Sequence, residues 1–154
     1  MDEDEKFEKD RLKQYLEDHG PEILQDIEWC EKNIHGCDMD IDKGLERHWI
    51  TVVPTKCGNF EVLKSDLEKA ASKTGIYIKD EKSKEEIKGY VNGVKASKNL
   101  YKQLTLVYDD DMVHPKALIL AKNKDKIDYM LLIQLRGENK RIMNFIDAYD
   151  SLSR

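Results

Sequence analysis

The chain lacks most of what secreted, membrane-spanning and disulfide-stapled proteins require. Three cysteines in 154 residues are an odd number, so a disulfide framework is not expected and reduced thiols of a cytosolic protein are. No run approaches the ~18 uncharged apolar residues of a bilayer span. The chain opens on Asp2, Glu3, Asp4 and Glu5, where a secretory leader would carry a basic and then an apolar run. Arginine is scarce, 5 against 21 lysines, a balance suited to a solvated surface more than to forked phosphate recognition. Internal repeats, low-complexity tracts and linkers are absent. So are the GxSxG, Walker A, GxGxxG, HExxH and kinase signatures.

What is present is charge, unevenly placed. Residues 1–48 hold 16 Asp/Glu against 7 Lys/Arg, a net of −9, whereas residues 49–154 hold 15 against 19, a net of +4. A block of one sign steers association over distances set by ionic screening. The simpler alternative is that the acidic third packs on its own body. Hydrophobic residues make up 40% of the chain, enough for one folded domain over 1–154, with an acidic helical arm over 1–36 and a body over 49–154.

Phe7, Leu12, Tyr15 and Leu16 keep helical spacing, and Gly20 followed by Pro21 marks an exit and a new start. Ile23, Leu24, Ile27, Cys30 and Ile34 continue at spacings of three and four, which predicts an N-terminal helical hairpin. Trp49 to Val53, closed by Pro54, reads as a strand near an edge. Phe60 to Leu63 reads as a second strand, and Ser65 with Glu68 as the capping box of a helix ending before Gly75. Ile76 to Lys79 is a short strand. A second capping box, Ser83 with Glu86, predicts a helix as far as Gln103. Leu104–Tyr108, Ala117–Ala121 and Ile127–Leu135 are apolar runs of strand length and form an antiparallel meander. Both faces of the last run are apolar, as in a strand covered on each side. Ile142, Phe145, Ile146, Tyr149 and Leu152 then give a C-terminal amphipathic helix packed on the sheet. The class is α+β, with a mixed or antiparallel sheet of about five strands.

Candidate chemistry is local and weakly patterned. Cys30, His35, Cys37, His48 and Cys57 gather all three thiols and two of the imidazoles into one stretch, but no CxxC or HxxxH pair supports a zinc site, and Cys30 lies at an apolar helix position. Asp38, Asp40 and Asp42 alternate as a calcium loop begins, yet Lys43 and Trp49 stand where that loop needs glycine and glutamate. Asp109, Asp110 and Asp111, with His114 nearby, follow a strand as the carboxylates of a metal-dependent hydrolase would; loops between antiparallel strands are also Asp-rich for turn reasons. On a continuous helix over 83–103, Lys84, Lys88, Lys95, Lys98 and Lys102 would form a ladder within roughly 80°, the geometry of a phosphate-tracking surface. The same ladder could receive the acidic helices, within the chain or from a second copy in a homodimer. Trp29 and Trp49 read as core or core margin.

No cofactor is implied, and the leading expectation is a non-enzymatic cytosolic binding protein. It would act by protein contact through Asp2, Glu3, Asp4, Glu5, Glu8 and Asp10. Nucleic-acid binding by the lysine ladder is the alternative, and a hydrolase at Asp109–Asp111 the third.

Overall fold

The computed structural model describes residues 20–22, 25–26, 48–83, 90–91, 94–95, 100–135 and 140–152. Five antiparallel strands form the main sheet: β1 (His48–Asn59), β2 (Ile76–Ser83), β5 (Leu100–Tyr108), β6 (Ala117–Lys122) and β7 (Asp125–Leu135). Their order is β1-β7-β6-β5-β2. Two short strands, β3 (Tyr90–Val91) and β4 (Val94–Lys95), pair separately as Tyr90↔Lys95 and Val91↔Val94. Two helices complete the described body, α1 (Phe60–Ser72) and α2 (Lys140–Asp150).

The meander β5-β6-β7 is built as the apolar runs require. Between β6 and β7 the chain reverses in two residues, and Asn123 takes a positive φ of 74° there, a conformation asparagine tolerates better than most side chains. The register aligns Leu104, Ile119 and Leu132 in one row across three strands, and Gln103, Leu120 and Leu131 in the next. Because successive side chains alternate between faces, these rows point to opposite sides of the sheet. β1 lies at one edge, where Pro54 can sit without removing a ladder bond from an interior strand. A register shift between Pro54 and Cys57 bends β1 locally.

One face of the sheet carries both helices. Phe60, Leu63, Leu67, Ala70 and Ala71 from α1, and Ile142, Phe145, Ile146 and Tyr149 from α2, pack with Leu104, Leu106, Ile119, Met130 and Leu132 in a single core. Their spacing of three and four residues is the reason that these segments bury one stripe. Helix α1 begins at Asn59, whose side-chain oxygen accepts the Val62 N–H at 3.0 Å, and ends where Gly75, at φ +72°, turns the chain into β2.

The opposite face is just as dry. Val107, Leu118, Leu120, Leu131 and Ile133 are fully buried, as are Gln103, Thr105 and Lys122, although neither α1 nor α2 contributes to this side. Asp26, on a stretch whose described residues 20–22 and 25–26 are helical, is buried here with its carboxylate 2.6 Å from the Lys122 ammonium. Gly20 is itself helical beside Pro21. The remainder of the expected helical hairpin lies outside the described residues. Among those residues no helix is long and apolar enough to cross a membrane.

Three expectations are corrected. Phe60 to Leu63 is the first turn of α1 and not a strand, because Asn59 caps the chain ahead of Ser65 and Phe60, Leu63 and Leu67 already share a buried stripe. β2 runs on to Ser83, with Asp80, Glu81, Lys82 and Ser83 paired along β5. The helix expected over 83–103 is not continuous: Tyr90–Val91, Val94–Lys95 and residues from Leu100 onward are strand. Asn92 and Gly93, between the paired Val91 and Val94, are the dipeptide that favours a two-residue hairpin, and Gly89 and Gly93 weaken any helix through them.

The buried face and the N-terminal cap of α1 predict different costs. Leu67→Ala, at a site with no exposure, is expected to lower stability by about 3 kcal/mol, and Asn59→Ala by about 1 kcal/mol through the lost cap. Urea unfolding of both variants measures the difference.

Candidate functional site

A cluster of charged groups lies at the β5–β6 connection. β5 ends at Tyr108, and the chain passes through Asp109, Asp110 and Asp111 before β6 resumes at Ala117. Asp109 N–H donates to the Gly75 carbonyl at 3.0 Å and Asp111 N–H to the Tyr108 carbonyl at 3.1 Å, which closes the loop onto the start of β2. Gly75 has a φ of +72°, a conformation that calls for glycine there, and an Asp109 carboxylate oxygen lies 3.3 Å from where a Cβ would stand.

The carboxylates are met by basic side chains from two sides. Arg141, in the first turn of α2, is 3.0 Å from Asp110 and 3.4 Å from Asp109, and its guanidinium lies 4.2 Å from the Tyr108 ring centroid. Lys116 is 2.9 Å from Asp111 and 5.2 Å from the same ring. The His114 Nδ1 is 3.0 Å from Asp111. Lys116, first, and then His114 hold the Asp111 carboxyl far below the ordinary carboxylate range; the Arg141 hydrogen bond lowers that of Asp110. Tyr108 is thus flanked by two cations, and the loop is tied to both β2 and α2.

This arrangement fixes a loop shape more readily than it gathers a metal. Asp109 and Asp110 share Arg141 while Asp111 turns to Lys116, and among the described residues no three His, Cys, Asp or Glu side chains converge as a metal site. The other expected ligands do not assemble in the described part either. His48 and Cys57 stand at opposite ends of β1, paired with Leu135 and Ile127, a separation of about 30 Å along an extended strand. Cys57 is buried against Tyr149, Sγ to Oη 3.9 Å. Cys30, His35, Cys37, Asp38, Asp40 and Asp42 lie outside the described residues, as does Trp29; Trp49 is in β1.

The lysine ladder loses its helix. Lys95 belongs to β4 and Lys102 to β5, while Lys84, Lys88 and Lys98 are outside the described residues. Lys102 donates to Glu81 at 2.9 Å, and Lys64 of α1 meets the other oxygen of Glu81 at 2.7 Å. The Lys64 hydrogen bond is the main cause of the lowered Glu81 pKa. Lys102 also lies 5.6 Å from the Phe60 ring centroid. Lys102 therefore ties β5 to β2 and α1. The acidic residues Asp2, Glu3, Asp4, Glu5, Glu8 and Asp10 are outside the described residues.

Two features have little sequence signal. Arg141 is one of 5 arginines, but nothing local links it to a carboxylate 31 residues earlier. Lys122 follows the apolar run Ala117–Ala121 at the parity of Leu118 and Leu120, so its inward position is legible; its partner Asp26, 96 residues away, is not. Comparison with protein-family models, curated proteins and solved structures found no match for the chain.

The loop network has a pH signature. Since the folded Asp111 pKa lies below its unfolded value, the stability that its ionised carboxyl contributes is complete above about pH 4 and is lost as pH falls through the lower folded value. Carbon-detected NMR titration should show the Asp111 carboxyl still ionised below that pH. Lys116→Met should raise its midpoint more than His114→Asn, and equal effects would contradict the ranking of the two partners.

Proposed function

We propose that this chain is a non-enzymatic binding protein of the cytosol that recognises a protein partner through the acidic residues Asp2, Glu3, Asp4, Glu5, Glu8 and Asp10. The observation that carries the reading is the charge asymmetry, −9 over residues 1–48 against +4 over the rest. Concentrated charge of one sign raises association rates and sets partner choice more than it adds net affinity. The ion pair between Asp26 and Lys122 gives the acidic third a foothold on the sheet, and the six acids precede that foothold by at least sixteen positions. The carboxylates at the β5–β6 loop are engaged with Arg141, Lys116 and His114, which suits a structural role for them.

A partner isolated from host lysate allows the test. Replacing the six acids with Asn and Gln is expected to lower the association rate about tenfold at low salt and to flatten its dependence on ionic strength. An unchanged salt slope would exclude the acidic arm. A complex rich in absorbance at 260 nm, lost as salt rises and abolished by Lys88→Glu with Lys95→Glu, would replace this reading with nucleic-acid binding.

A further inference from the structure

Val113 is the most exposed large apolar side chain among the described residues, at 68%, and Met112 beside it is 41% exposed. Both stand at the tip of the β5–β6 loop, between Asp111 and His114. The β6–β7 connection reverses in two residues, whereas this one takes eight and is tied to β2, to α2 and to itself. Arg141 of α2 donates to the Gly75 carbonyl at 3.4 Å as well as to Asp110. The His114 N–H donates to the Asp111 carboxylate at 3.4 Å, and the Lys116 N–H to the Leu106 carbonyl at 2.8 Å. Pro115, between those two anchors, has its φ fixed by its own ring. The exposed pairs to Asp109 and Asp110 add little to global stability. Their consequence is a fixed loop that holds two adjacent apolar side chains in water.

Apolar side chains exposed singly are ordinary. An adjacent pair on a fixed loop gains by leaving water and loses little conformational entropy when it binds. Methionine adapts to the shape it meets, and an apolar centre ringed by charge is the anatomy of a protein interface. We infer that the β5–β6 loop is a contact for a protein partner: Met112 and Val113 enter an apolar pocket on it, and Lys or Arg side chains on the pocket's rim meet Asp109 and Asp110. Charge decides the class of partner. Three carboxylates are set against Arg141 and Lys116, so with His114 neutral the loop keeps an excess of negative charge, and Asp109 and Asp110 keep most of their surface in water. Nucleic acid and anionic lipid surfaces carry the same sign and are repelled, whereas a basic rim is attracted. The inference rests on the protein-partner reading above but not on its acidic arm.

The test uses the full-length protein with Val113 replaced by the photo-crosslinker p-benzoylphenylalanine, and a control with Val62 of α1, 48% exposed, replaced instead. Each is irradiated in host lysate. A protein adduct is expected from position 113 and not from position 62. Excess unlabelled wild type should remove it, and the same excess of the full-length Met112→Ser, Val113→Ser variant should not. Both serines fall at exposed positions, so the variant's unfolding midpoint should match that of the wild type. With the crosslinked partner purified, this variant is expected to bind it at least about tenfold more weakly. Asp109→Asn with Asp110→Asn should weaken binding and flatten its dependence on salt. The absence of an adduct, an adduct that the serine variant also competes away, or an adduct to nucleic acid, lipid or a second copy of this chain would each overturn the proposal. Replacing the six acids of the arm keeps the two readings apart. A serine variant that binds like the wild type while the six-acid variant binds weakly sinks the loop and leaves the arm; the reverse sinks the arm and leaves the loop.

Discussion

Met130 to Ile133 are four consecutive buried residues in β7, and in a strand consecutive residues face opposite ways. A sheet with such a strand next to its edge must be covered twice. Much of the architecture follows from that requirement. α1 and α2 supply one cover, each through an apolar stripe, and their shared core with Leu104, Leu106, Ile119 and Leu132 is the conventional half. The other cover is where the acidic part of the chain enters, through Asp26 and Glu22 on Lys122. The segregation of charge along the sequence and the double-sided burial of the sheet thus meet at one lysine.

The legible parts of the fold are those whose signal is local and redundant. Three apolar runs separated by turn residues specify β5, β6 and β7, and the Pro54 position reads as an edge because proline has no N–H to give to a second neighbour. The last helix is equally clear from Ile142, Phe145, Ile146 and Tyr149. Where two signals of similar strength compete, spacing alone misleads. Ser65 and Glu68 have capping-box spacing, but they fall in the interior of α1, since Asn59 caps first and the apolar stripe from Phe60 onward rewards the earlier start. The lysines between 84 and 102 recur at helical spacing, yet lysine on a solvated surface has no packing reason to keep any period. The Asn92–Gly93 pair carries the stronger local information.

Less of the candidate site is legible, for a different reason. Its contacts join residues far apart in the chain: Arg141 to Asp110, Gly75 to Asp109, Lys122 to Asp26. A single sequence shows which groups are ionisable and on which face of a strand they fall. It does not show which pairs the topology brings together. The Asp109–Asp111 run reads from spacing first as turn residues and only second as metal ligands. The cations that divide its three carboxylates arrive from the far end of the loop and from α2.

The two groups of ion pairs do different work because water treats them differently. Around the β5–β6 loop, Asp109 and Asp110 keep about two thirds of their side-chain surface exposed, at 66% and 69%, so their attraction to Arg141 is screened and contributes little to global stability. Several weak pairs anchored on Tyr108 can still select one loop shape, since each restricts a different residue. The pair between Lys122 and Asp26 is 4% and 0% exposed, and both charges have lost their hydration. Such a pair adds little over an apolar substitute but strongly disfavours any arrangement that separates its members. Its presence fixes where Asp26 sits on this sheet face, opposite Lys122. Aliphatic side chains at the same positions would have allowed the segment to slide, and would have carried no information about which helix belongs there.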